Sequence, residues 1–222
     1  MPLKNHVVQA LSGKPDSLVV FLHGYGADGA DLLNLADTLK IHLPNTIFMS
    51  PDAPNKSTMN PYGYEWFPIP RIDGSSLEDA ANRRDEASNQ LDLFLNEIKD
   101  NTGLPFDRIF LFGFSQGCMM SLHLAPRKHE KIGGVIGIAG MMMQPELLEK
   151  EVLQKPPILL VHGDQDDVVP YKELSIAADA LEKSEFEVYT LTSKGTGHSL
   201  SLIHISEPTR PRLISYAVFC LK

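Results

Sequence analysis

The 222-residue chain is poor in cysteine, with Cys118 and Cys220 only. Two cysteines are too few for a disulfide framework and suit a reducing compartment, so a cytoplasmic location is expected. Basic residues are the minority charge: 20 Lys and Arg against 28 Asp and Glu give −8, with no basic run. Such a chain is a poor partner for nucleic acid and for an anionic membrane surface. Long apolar runs are missing as well. The longest early one, residues 18–22, falls far short of the ~20 residues a membrane span needs, and MPLKNH lacks the apolar stretch of a signal peptide. Stable membrane insertion is therefore not expected. No H-x-x-x-H or C-x-x-C pair occurs, so no metal is expected. What remains is ordinary for a globular protein, at 43% hydrophobic and 22% charged residues, which excludes wholesale disorder and collagen. The length suits one α/β domain.

Six short aliphatic or β-branched runs read as strands: 17–23 (SLVVFLH), 46–49 (TIFM), 108–113 (RIFLFG), 132–138 (IGGVIGI), 157–162 (PILLVH) and 186–192 (FEVYTLT). Most are continuously apolar rather than alternating, as buried parallel strands are. Between them lie helical patterns. Ser75–Glu78 has the S-x-x-E form of a capping box. Ala80, Ala87, Leu91, Phe94 and Ile98 then trace one helical face. Residues 31–43 and 171–183 read as shorter helices. Alternating strands and helices predict a mostly parallel central sheet covered by helices on both faces. Residues 49–73 hold five prolines and the only tryptophan, Trp66. A loop of that length is expected to overhang the strand ends where ligands sit.

Four glycine-rich strand exits carry the chemistry. Residues 113–117, GFSQG, match G-x-S-x-G between an apolar strand and a helical stretch, the setting a nucleophilic serine needs. The candidate nucleophile is Ser115, beside a helix N-terminus that favours developing negative charge. The exit LHGYG (22–26) can aim backbone N–H groups at an oxyanion. One donor would come from this loop and one from the residue after the nucleophile, which makes the candidates Tyr25 and Gln116. HGDQDDVVP (162–170) crowds Asp164, Asp166 and Asp167 at one strand end. One of these acids could orient a histidine, and Asp164 could instead hold the turn. Calcium is disfavoured because EF-hand spacing is absent. KGTGH (194–198) puts His198 on a loop after the last strand, where a general base belongs. Trp66 and Met141 are candidate walls of a substrate pocket. Packing is the alternative for both.

Residues 200–222, LSLIHISEPTRPRLISYAVFCLK, break the pattern. Pro208 and Pro211 fall where a sheet-covering helix is expected, and Arg210, Arg212 and Lys222 outnumber Glu207. The segment resembles the conceptual translation of a sequencing-library adapter: LSLIHISEPTR matches the transposase-adapter codons and ISYAVFCLK the flow-cell primer. Residues 1–199 are accordingly expected to form the single domain. Residues 200–222 are expected to be a non-native tail that includes Cys220, with the natural C-terminal helix missing.

Together LHGYGADG (22–29), GFSQG (113–117), HGDQDDVVP (162–170) and GTGH (195–198) resemble the bacterial phospholipase/carboxylesterase family of α/β-hydrolases, relatives of acyl-protein thioesterases. YEWFP (64–68) sits where that family has a W-F/Y element, and the likeness covers about residues 5–199. The resemblance implies an α/β-hydrolase fold with Ser115 as nucleophile, His198 as general base and Asp166 as the orienting acid. It departs at Asp167, where many members have proline. It also implies hydrolysis of a small-molecule carboxylic ester or acyl thioester through an acyl-enzyme, with no cofactor; neither a monomer nor a homodimer is favoured. Two rivals stand beside it. A dienelactone-hydrolase-like enzyme would use cysteine where this chain has Ser115. A catalytically silent chimera or binding-only member of the fold would leave the triad unused.

Overall fold

The computed structural model describes residues 2–200. Apart from Leu200, the expected tail and the question of a final helix lie outside the described residues. The chain begins with β1 (Asn5–Val8) and β2 (Ser17–Leu22), then α1 (Gly29–Leu33), α2 (Leu35–His42) and β3 (Thr46–Pro51). A small hairpin, β4 (Asn55–Lys56) with β5 (Tyr64–Glu65), and the one-turn α3 (Pro70–Asp73) lead into the long α4 (Leu77–Thr102). After it come β6 (Ile109–Phe114), α5 (Gln116–Leu124), β7 (Gly134–Ile138), α6 (Leu148–Glu151), β8 (Ile158–Gly163), α7 (Lys172–Lys183) and β9 (Val188–Ser193).

Each of the six apolar runs overlaps one strand of a seven-stranded sheet ordered β1-β3-β2-β6-β7-β8-β9, four of the strands running one or two residues further. All neighbours pair in parallel except β1, which runs antiparallel on β3. The sequence reading missed β1. It is a four-residue edge strand with half-exposed side chains, so it lacks the apolar run that marks a buried strand.

Successive side chains of a strand face opposite sides of the sheet. Leu18, Val20, Leu22, Ile109 and Leu111 turn to one face, under α4, α5 and α7. Val19, Phe21, Phe110 and Phe112 turn to the other, under α1 and α2. There Phe21 stacks on Phe48 at 5.8 Å and meets the edge of Phe112 at 5.3 Å. Helix α4 buries Ala87, Leu91, Phe94, Leu95 and Ile98. The four large side chains are worth at most about 6–12 kcal/mol, at 1.5–3 each.

Three local expectations need correction. The α4 cap is Ser76, whose hydroxyl accepts from Asp79 N–H at 3.0 Å, so the S-x-x-E register was one residue early. Residues 31–43 form two helices because Asp28 caps an earlier start and the chain breaks at Asn34. Residues 49–73 are not a bare loop but hold the hairpin and α3.

The sheet order reverses beside β2, which has β3 on one side and β6 on the other. In open parallel sheets that switch point opens a crevice past the carboxyl ends of the strands. Leu22 pairs with Gly113 at this end, so the residues leaving β2 and β6 emerge side by side.

Candidate active site

Ser115 sits in the sharp turn between β6 and α5 with φ 53° and ψ −115°, a strained conformation for a residue with a Cβ. Two glycines make the turn possible. A Cβ on Gly113 would lie 2.3 Å from the Gly117 carbonyl oxygen, and one on Gly117 would lie 1.9 Å from that of Leu22. Ser115 N–H donates to the Ile138 carbonyl at 2.8 Å, which fixes the turn to β7. The side chain is thereby lifted above the sheet edge.

His198 leaves β9 on the loop after Gly195. Its Nε2 lies 3.0 Å from Ser115 Oγ and its Nδ1 lies 2.8 Å from Asp166 Oδ2. The Asp166 side chain is wholly buried. Its Oδ1 accepts from the N–H groups of Val168 and Val169 at 2.9 and 2.8 Å. Burial alone would raise the Asp166 pKa. The hydrogen bonds from His198, Val169 and Val168 outweigh it and hold the carboxyl below its ordinary value. A carboxylate so anchored keeps His198 Nδ1 protonated and leaves Nε2 to accept. The other two acids point elsewhere. Asp164 is exposed and accepts from Gly195 N–H at 2.7 Å, bracing the loop that carries His198. Asp167 is exposed.

Tyr25 and Gln116 stand on either side of Ser115. Among the described residues neither backbone N–H meets a hydrogen-bond acceptor. The loop is pinned just after Tyr25: Gly26 N–H donates to Tyr64 O at 2.9 Å, and Tyr64 N–H to Ala27 O at 2.8 Å. The Gln116 side chain is fully buried. Its Oε1 accepts from Trp66 N–H at 2.8 Å and its Nε2 donates to Phe67 O at 2.6 Å.

Trp66 and Met141 do not wall the cleft. Trp66 is fully buried and donates from Nε1 to His23 O at 3.0 Å. Because Trp66 N–H also meets Gln116, the tryptophan braces both segments that flank Ser115. Its indole has a donor to satisfy, and a core site beside a free carbonyl does that. Met141 is half-buried against the core on the α4 side of the sheet.

The cleft over Ser115 measures about 630 Å³, within the range of small-molecule sites. Leu32, Leu35, Ile69, Ile72, Met119 and Val169 make its apolar wall, and Asp31 and Arg71 lie among its polar lining. Sequence reasoning missed these side chains. Apart from Val169, which follows β8 in the HGDQDDVVP stretch, they come from α1, α2, α5 and the α3 turn and carry no motif. A larger groove of about 830 Å³ runs along α4 and α5. It is a surface of ion pairs, with Arg84–Asp85 at 2.8 Å, Arg127–Glu151 at 2.6 Å and Lys128 on Asp92. Among the described residues no group of three or more His, Cys, Asp or Glu could hold a metal ion. No described helix is long and apolar enough to cross a membrane.

A mostly parallel sheet with a serine on the β6–α5 elbow and a histidine after the last strand defines an α/β-hydrolase fold. The profile of the phospholipase/carboxylesterase family matches residues 3–205. The chain belongs to that family and is a serine hydrolase of the esterase type. It is 31% identical over 201 residues to acyl-protein thioesterase 1 of Neurospora crassa, covering 83% of this chain and 80% of the relative. It is 28% identical over 205 residues to acyl-protein thioesterase 1 homolog 1 of Dictyostelium discoideum, covering 90% of each. Among solved structures it is similar to esterase PE8, at 36% identity and a TM-score of 0.88, covering 99% of this chain and 98% of that one.

Proposed function

We propose that the chain cleaves carboxylic esters or acyl thioesters with Ser115 as nucleophile, His198 as general base and Asp166 as orienting acid. The reading is carried by one observation: Ser115 Oγ, His198 and Asp166 form an unbroken hydrogen-bonded line, at 3.0 and 2.8 Å, at the floor of an apolar cleft. His198 Nε2 takes the Ser115 proton as Oγ bonds to the acyl carbon. The carbonyl electron pair moves onto oxygen, where the Tyr25 and Gln116 N–H groups receive it. Collapse breaks the bond to the alcohol or thiol, which leaves with the proton from His198. Water, deprotonated by the same nitrogen, then attacks the acyl-enzyme and releases the acid. No cofactor enters these steps. The substrate is a small-molecule ester or acyl thioester rather than a nucleic acid, and a cytoplasmic setting goes with the free buried thiol of Cys118.

The acyl group lies along the apolar wall. Each added methylene that becomes buried there should raise kcat/KM about fourfold, from ~0.8 kcal/mol per CH₂, until the cleft is filled. A series of p-nitrophenyl esters of increasing acyl length, with the matching thioesters, tests this. The reading expects a rise to a plateau. Rates that are flat or falling from the acetyl ester onward would remove the cleft as the acyl site.

A further inference from the structure

His23 is fully buried at the end of β2, two residues before Tyr25. A buried imidazole needs partners for both nitrogens, and this one has them. Nε2 lies 3.0 Å from the Ala53 backbone nitrogen, and Nδ1 lies 2.8 Å from the Gly24 carbonyl oxygen. An amide N–H can only donate and a carbonyl can only accept. The ring is therefore neutral and its proton sits on Nδ1. Burial favours this form by pulling the His23 pKa below the ordinary imidazole value. It acts against the Gly24 carbonyl and the carboxylates of Asp52, Asp28 and Asp31.

The Gly24 carbonyl and the Tyr25 N–H belong to one peptide unit. The unit is planar and trans, so its C=O and N–H point in opposite directions, and fixing one aims the other. This peptide lies against the nucleophile: a Cβ on Gly24 would stand 3.3 Å from Ser115 Cβ. Trp66 Nε1 holds the preceding carbonyl, that of His23, at 3.0 Å. Gly24 has no side chain of its own to set the orientation.

We propose that His23 is a positioning residue for ester hydrolysis, holding the Gly24–Tyr25 peptide through Nδ1–H···O=C so that the Tyr25 N–H faces the developing oxyanion. The inference rests on the reading of Tyr25 as an oxyanion donor. His23 touches neither substrate nor Ser115, so its effect falls on kcat and not on KM.

His23→Asn and His23→Gln separate the two ring contacts. The shorter Asn can place its NH₂ near the Nδ1 position and donate to Gly24 O, without reaching Ala53. The longer Gln places its amide near the Nε2 position, where it can accept from Ala53 N–H, and leaves Gly24 O without its donor. Each variant loses one buried hydrogen bond, so a merely structural role moves both alike. The proposal expects His23→Asn to keep kcat within about threefold and His23→Gln to lose about 10–100-fold, with KM unchanged in both. Affinity for an arylboronic acid, whose tetrahedral adduct carries the oxyanion, should fall only in His23→Gln. Parallel losses, or full kcat in His23→Gln, would overturn the proposal.

Replacing Tyr25 by its α-hydroxy acid turns the N–H into an ester oxygen and tests the underlying reading. If that change leaves kcat and boronate affinity intact, the oxyanion assignment falls and His23 with it. If it lowers both while His23→Gln does not, only the role of His23 falls. The wild type gives an answer that does not depend on any variant folding: ring ¹⁵N–¹H correlations should show His23 as the Nδ1–H tautomer at neutral pH. An Nε2–H tautomer would overturn the proposal.

Discussion

Asp166→Asn changes one atom at a point where four nitrogens converge. Val168 and Val169 N–H groups meet Oδ1 at 2.9 and 2.8 Å, while His198 Nδ1 meets Oδ2 at 2.8 Å. His162 Nε2 lies 3.3 Å from Oδ2 and carries a hydrogen, since it also bonds the Val169 carbonyl at 2.9 Å. An amide has one oxygen to give. The two fixed backbone donors claim it, because the reverse placement would set both against an NH₂ and leave the buried Val169 N–H unsatisfied at about 1–3 kcal/mol. The new NH₂ then faces His198 Nδ1, which must accept. The imidazole proton moves to Nε2, facing Ser115 Oγ, and that nitrogen can no longer act as a base. The same NH₂ stands donor-to-donor against His162. In another serine triad the wrong tautomer costs about 10⁴ in kcat. The expectation here is about 10³–10⁴, or ~4–5.5 kcal/mol of barrier. The assay is kcat and KM on a p-nitrophenyl ester at pH 7, with KM within about threefold of wild type. An Asp166→Asn enzyme that keeps a tenth of the wild-type kcat would refute this reasoning.

Three further outcomes follow from the geometry. Gly117→Ala would press a Cβ to 1.9 Å from the Leu22 carbonyl oxygen, while Gly103→Ala meets nothing within 4 Å and suffers only its φ of 71°. Chemical denaturation should show a loss of about 1 kcal/mol at Gly103 and more than about 3 kcal/mol, or no folded protein, at Gly117; equal losses would contradict the close-approach argument. The Asp166 carboxyl is held below its ordinary value, so its stabilising contribution is full above that ordinary value and is lost as pH falls through the lowered one. The acid limb of stability should flatten in Asp166→Asn, and an unchanged limb would contradict this. Burial, reinforced by Arg127 and Arg84, pushes His123 down to about 4, so folding favours its neutral form fully above about pH 6.5 and loses that advantage as pH falls through about 4. Discounted for solvent, wild type should lose about 2–3 kcal/mol more than His123→Gln between pH 7 and 4 in urea unfolding, and parallel curves would contradict the burial of His123.

The sheet is legible because its parallel strands, the edge strand β9 apart, are largely buried on both faces and read as apolar runs. Residues 157–162 and 108–113, for example, enclose nearly all of β8 and β6. What was not legible depends on neighbours. The edge strand Asn5–Val8 has too little burial to leave a pattern. The break at Asn34, which keeps helical dihedrals and makes no side-chain cap bond, leaves no mark on the periodicity. Ser115 and His198 are legible because each sits in a glycine-rich strand exit whose letters reflect backbone demands, whereas Asp166 is set apart from Asp164 and Asp167 only by the family resemblance. Trp66 was misplaced because the same residue type suits a pocket wall or a core strut, and its partners, His23 O and Gln116 Oε1, are far away in sequence. The cleft over Ser115 is unreadable for the same reason. Leu32, Ile72 and Met119 look like any helix residue until the helices are packed.

The central claim is that Ser115 is an activated nucleophile. Fluorophosphonate labelling of the purified 222-residue chain, read by intact mass beside Ser115→Ala, tests it directly. The account predicts one adduct on the wild type, mapped to Ser115, and none on the variant. A folded wild type that takes up no label, or a Ser115→Ala protein labelled equally well, would contradict it.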